Sequence, residues 1–197
     1  MKNILNKVIK YKLEFVVFLC GAVVMTFELL GSRILGPYFG TSIFVWTSLI
    51  GIIMGSLSLG YYFGGKIADK NSSFKNLSLI ILLSAVFIGV TILTKDYWLI
   101  FPQLIFANNQ VSSIFASIVL FLPANICLGM VSPYAIKLKM NNLETSASTA
   151  GNLSAISTLG SIVGTFLSGF YLIPNFGTNK LLIIILITLI FTSLIIL

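Results

Sequence analysis

The sequence predicts an all-α integral membrane protein with six transmembrane helices, and three observations carry that prediction. Hydrophobic residues make up 57% of the 197 and charged residues 9%, with a mean hydropathy of +1.06. An ordinary soluble domain does not have this composition. The apolar runs are continuous rather than alternating with period two, as expected for helices and not for barrel strands. Their lengths match the roughly 20 residues that a helix needs to cross a bilayer.

Residues 1–12 carry Lys2, Lys7, Lys10 and Lys12 and are expected to form a basic, cytoplasmic, membrane-facing N-terminus. The apolar run that follows is too long for a signal-peptide core and contains Glu28 and Arg33, so it is read as the first span, over 13–35. Gly36 and Pro37 predict a tight turn, after which span two covers 41–63 and span three 77–94. The connection 95–111 holds Tyr97, Trp98, Phe101 and Phe106 around Pro102, a composition expected to lie in the membrane interface. Span four covers 112–131 and ends near Pro133. The polar stretch 137–150 is expected to be a hinge between two halves. Span five covers 151–173, closed by Pro174, and span six covers 180–197. The six-helix membrane domain is thus 13–197, with repeat one over about 13–94 and repeat two over about 112–197.

Charge placement predicts orientation. With six spans and the N-terminus inside, Lys2, Lys7, Lys10, Lys12, Lys66, Lys70, Lys75, Lys137 and Lys139 are cytoplasmic, while Arg33, Lys95 and Lys180 are outside. This bias follows the positive-inside rule and places both termini in the cytoplasm. Trp46 and Trp98 then fall at the outer interface, where indole rings favour the head-group layer. The net charge of +7 is accounted for by these flanking lysines, which meet anionic lipid. No basic face with interleaved aromatics lies outside the spans, so no nucleic-acid partner is expected.

Spans two and five look alike. Gly51, Gly55 and Gly60 recur as Gly160, Gly164 and Gly169 at the same spacing, with Ser56 matching Thr165, Tyr61 matching Phe170 and Tyr62 matching Tyr171. These helices would cross in opposite directions, the signature of a three-plus-three inverted repeat. Any two helices with small-xxx-small faces also share such a pattern. On either view the glycines are expected to permit close helix approach.

Few residues can carry chemistry. Glu28 lies about 22 Å into span one at 1.5 Å per residue, where a carboxylate is costly unless it is paired or faces a cavity. It is expected to be a cation or proton site, or else a buried carboxylate bonded to Ser, Thr or Arg. Arg33 is the only arginine among twelve basic residues. It supplies a planar, multi-donor group for a substrate or ion site, or snorkels to the interface; a bend near Gly31 or Gly36 would bring it to Glu28. Asp69, at the cytoplasmic end of span two, is a candidate conformational latch that accepts hydrogen bonds from a neighbouring helix start, or a solvated loop acid. With no histidine and with Cys20 and Cys127 each isolated in an apolar run, no metal site and no cofactor are expected. No catalytic triad, P-loop or dinucleotide fingerprint is present, so no enzymatic activity is expected.

The stretch Glu28-Leu29-Leu30-Gly31-Ser32-Arg33-Ile34-Leu35-Gly36-Pro37-Tyr38-Phe39-Gly40, continuing through Trp46-Thr47 to Ser58-Leu59-Gly60-Tyr61-Tyr62-Phe63-Gly64-Gly65, resembles the membrane domain of fused MFS/spermidine synthase-like proteins. Thr158-Leu159-Gly160-Ser161-Ile162-Val163-Gly164-Thr165-Phe166 and Gly169-Phe170-Tyr171-Leu172-Ile173-Pro174 follow the same pattern. Gly65 to Lys70 also resembles a degenerate loop motif of the major facilitator superfamily, lacking the usual Gly-Arg-Arg continuation. The resemblance implies a fold like one half of a major facilitator and a prokaryotic plasma (inner) membrane location. It also implies transport of polyamines or another small cation by a homodimer or with a partner. Alternatively, it implies a non-catalytic anchor for a separately encoded spermidine synthase-like enzyme, since the sequence stops at Leu197 without the family's aminopropyltransferase-like domain.

Overall fold

A computed structural model describes residues 2–140 and 146–197, with side chains from Tyr11 onward. Among the described residues there is no strand. The chain forms α1 (Lys2–Phe39), α2 (Ile43–Lys70), α3 (Phe74–Ile105), α4 (Asn109–Lys139), α5 (Ser146–Leu167), a π-helical turn (Ser168–Leu172) and α6 (Ile173–Ile196). Among the described residues, five helical stretches are long and apolar enough to cross a membrane, the fifth running from Ser146 to Ile196.

Element ends differ from the sequence expectation for identifiable reasons. The backbone is already helical from Lys2, so the basic N-terminus extends α1 rather than preceding it. The first reversal is not at Gly36 and Pro37. Pro37 stays in the last turn of α1, and the chain turns at Gly40, where φ is +82°. The Gly40 N–H donates to the Gly36 carbonyl at 2.9 Å, a left-handed helix cap that glycine takes without a Cβ penalty. The aromatic connection after span three is also helical: α3 runs to Ile105 with Pro102 inside its final turn. Asn108 then caps α4, accepting from Gln110 N–H at 2.9 Å.

Pro174 does not close span five. Helix continues past it, and the break falls at Gly177, with φ 70° and ψ 168°. A proline inside a helix removes a donor and crowds the carbonyl four residues back. The π turn immediately before it is a common way for a helix to absorb such a defect. Of the expected hinge, 137–139 belong to α4 and 146–150 to α5; 141–145 lie outside the described residues.

Helices α1 and α4 cross antiparallel at the centre, with the Phe27 and Phe121 rings 5.0 Å apart. Helix α2 lies along α4, and α5 along α1. Helices α3 and α6 pack on the opposite side, joined by a reciprocal contact: Ser78 Oγ donates to the Ser193 carbonyl at 2.9 Å and Ser193 Oγ to the Ser78 carbonyl at 3.0 Å. Thr91 Oγ1 donates to the Leu120 carbonyl at 2.9 Å, tying α3 to α4.

The closest approaches use glycine. A Cβ on Gly21 would collide with the Ser157 carbonyl, one on Gly160 with the Phe18 carbonyl, and one on Gly164 with Ala22. The α2–α4 pair repeats this: Gly129 meets Leu57, Gly60 meets the Ile126 carbonyl, and Gly64 meets Met130. Three of the six glycines singled out in the sequence do not act this way, because Gly51, Gly55 and Gly169 each face open space. Gly60, Gly160 and Gly164 do.

Candidate functional site: a groove between two unpaired helices

Among the described residues no Cα of α2 lies within 8 Å of a Cα of α5. Each buries one narrow stripe, Leu49, Ile53, Ser56, Gly60 and Gly64 on α2 and Leu153, Gly160 and Gly164 on α5, and leaves the rest exposed. A groove therefore runs between them, floored by α1 and α4. Within it lies a cavity of about 100 Å³ whose polar lining includes Tyr61, Ser132, Ser157 and Ser161. Ser161 Oγ donates to the Gly21 carbonyl at 3.2 Å, so part of this hydroxyl set is engaged in holding α5 on α1.

Helical spacing puts Glu28 on the α1 face that floors the groove. It shares one α1 stripe with Gly21 and Met25, which line the cavity, and with Ser32, which lines a second cavity further along; spacings of four, seven and eleven residues share a helix face. The residue is half-buried and lines neither cavity. No hydrogen bond or ion pair joins it to any described residue, and it does not meet Arg33, because α1 continues unbroken through Gly31 and Gly36. A carboxylate without a partner in an apolar span is the costly case that calls for a ligand, a proton or a covering surface.

Arg33 is exposed at one end of the bundle. It lines two cavities, one of about 200 Å³ with Ser32, Thr41 and Trp46 and one of about 240 Å³ with Lys95, Asp96 and Asn179. Trp98 stacks edge-on against Tyr97 at this same end, ring centres 5.1 Å apart.

The opposite end carries two ion pairs that join helices. Asp69 accepts from Lys137 Nζ at 2.8 Å, so its partner is a lysine of α4 and not a helix start. Lys139 Nζ reaches Glu14 Oε1 at 2.7 Å, with only 11% and 17% of the two side chains exposed. Between these pairs the fully buried Tyr134 takes a hydrogen bond from Ser73 N–H at 3.0 Å and donates to the Asn71 carbonyl at 2.6 Å. The C-terminal turn of α4 thereby grips both α1 and the α2–α3 connection.

Glu14, Tyr134 and the cavity serines were not legible as a set. Glu14 sits one turn after Lys10, which reads as a charged flank. Ser157 and Ser161 frame Gly160 at a four-residue spacing, the only sequence signal that they share a face with it. No protein-family model, no curated protein and no solved structure matches the chain. The family resemblance therefore rests on the sequence motifs alone.

Proposed function

We propose that this chain is a half-size, major facilitator-like carrier for a small organic cation, completed by a second copy of itself. The observation that carries the proposal is Glu28: a half-buried, unpaired carboxylate within an apolar span, which helical spacing puts on the α1 face under the α2–α5 groove. A protonated amine is the complement of such a group, and hydroxyls along the groove supply neutral hydrogen-bond partners. Polyamines are the substrate class because the sequence resembles the membrane domain of spermidine synthase-like proteins. A groove open on one side cannot enclose a path, so the opposing wall comes from a symmetric partner.

Six crossings and a three-plus-three inverted repeat form part of the same reading. Gly160 and Gly164 of α5 meet Phe18 and Ala22 of α1 in ascending order, while Ser78 and Gly89 of α3 meet Ser193 and Leu186 of α6 in descending order; α5 and α6 then run in opposite senses, with Gly177 as the turn. The glycine contacts support the repeat with a constant shift. Phe18, Gly21 and Ala22 correspond to Ile126, Gly129 and Met130, and Ser157, Gly160 and Gly164 to Leu57, Gly60 and Gly64. The register differs from the one the sequence motif favours, which pairs Gly51 with Gly160. The reciprocal Ser78–Ser193 bonds are what a two-fold axis through the α3–α6 pair produces.

The orientation proposed is both termini in the cytoplasm of a prokaryotic plasma (inner) membrane, with Lys66, Lys70, Lys137 and Lys139 inside and Arg33 and Lys95 outside. Uptake of radiolabelled spermidine into proteoliposomes tests the carrier reading. Saturable uptake that disappears in Glu28→Gln is expected. Intact, folded protein with no flux for any amine would favour an anchor for a spermidine synthase-like enzyme instead.

A further inference from the structure

The end of the bundle opposite Lys137 and Lys139 holds a cavity that the carrier reading does not use. It lies between α1, α3 and the turn at Gly177, has a volume of about 240 Å³, and is lined by Arg33, Lys95, Asp96, Thr178 and Asn179 among others. This is below the roughly 300 Å³ at which pockets for drug-sized ligands begin, so it suits a headgroup-sized ligand. Two cations face one carboxylate.

Their states differ. Lys95 Nζ is fixed 2.7 Å from Asp96 Oδ1 and its side chain is only 12% exposed, so its charge is largely matched. Arg33 has no ion pair or hydrogen bond with any described residue, although it lines this cavity and its neighbour. A guanidinium presents several donors in a planar fork that fits phosphate oxygens two at a time. The surplus positive charge, the unengaged donors, and the neutral donors of Thr178 and Asn179 all point to an anion. Tyr97, Trp98 and Phe101 cluster one turn from Lys95, with ring centres 5.1 to 5.9 Å apart. Such a girdle marks the head-group layer, where phosphate is abundant.

We propose that this cavity is a phosphate-binding site, with Arg33 as the bidentate ligand, Lys95 as the held second cation, and Thr178 and Asn179 completing the donor set. The same chemistry serves the headgroup of an anionic phospholipid or a free phosphate ester, and the proposal does not rest on the carrier function. Native mass spectrometry of the full chain with phosphatidylglycerol tests the first source. Thermal unfolding in detergent with and without millimolar inorganic phosphate tests the second. Arg33→Gln is expected to weaken the binding seen in at least one arm about tenfold, the effect of losing one charge-assisted pair, with Arg33→Lys intermediate. Because Arg33 is exposed, neither variant should disturb folding. Lys66→Gln at the opposite end removes the same charge and should leave binding unchanged. Phosphatidylglycerol and phosphate binding both absent, or lost equally in Lys66→Gln and Arg33→Gln, would overturn the site.

Discussion

Two ion pairs tie α4 to its neighbours at the lysine-rich end, and their surroundings set what each contributes. Asp69 and Lys137 are 71% and 43% exposed, so water and salt screen them, and such pairs contribute about 0–1 kcal/mol. Glu14 and Lys139 are far better shielded. Removing one partner there strands a charge, which costs several kcal/mol when burial is complete and less at this partial exposure. A double-mutant cycle on thermal unfolding, pairing Glu14→Gln with Lys139→Met and Asp69→Asn with Lys137→Met, is expected to give clearly the larger coupling for the first pair. Equal couplings would mean that solvent reaches both alike. Glu28 belongs at this scale as well. Its position in an apolar run was plain from the sequence, but its lack of a partner depends on α1 staying straight past Gly31, which residue spacing does not settle.

Helices were legible where composition alone determines them, and their ends and faces were not. Continuous apolar runs located the bodies of α1 to α4, because a bilayer-length apolar helix has few alternatives. The helices run well past the expected spans, however, α1 beginning at Lys2, α2 ending at Lys70, α3 at Ile105 and α4 at Lys139. The ends shifted wherever a proline was tolerated inside a helix, as Pro37, Pro102 and Pro174 are, and a glycine further on took the positive φ at Gly40 and Gly177. The glycine faces were misjudged for a related reason: spacing identifies a stripe but not which turn of the neighbour it meets. Gly51 and Gly160 look equivalent in sequence, yet one faces open space and the other a backbone carbonyl. Gly160→Ala is therefore expected to lower stability by about 1–3 kcal/mol, the usual range for forced overpacking. Gly51→Ala should be neutral or stabilise by up to about 1 kcal/mol through helix propensity. Thermal unfolding of the two variants in detergent separates them, and equal losses would refute the packing assigned to α5.

At the scale of the whole molecule, the bundle is asymmetric in a way that bears on function. One side is closed by α3 and α6 around buried serine contacts. The other exposes most of α2 and α5, with Phe166 and Phe170 stacked 5.8 Å apart on the open face, and helical spacing puts Glu28 on the α1 face that floors the groove between those helices. Lipid can cover apolar surface there, but it gives no partner to a carboxylate. On the proposed carrier reading, a second copy with its own groove turned inward would close the path and place two such carboxylates within it. The most direct measurement of this account is calorimetric titration of the purified protein with spermidine and a panel of simpler amines, for wild type and Glu28→Gln. Saturable binding of a cationic amine, weakened at least about tenfold in Glu28→Gln at unchanged thermal stability, is the predicted result. Binding of equal strength in both proteins, or none by any amine in the panel, would contradict it.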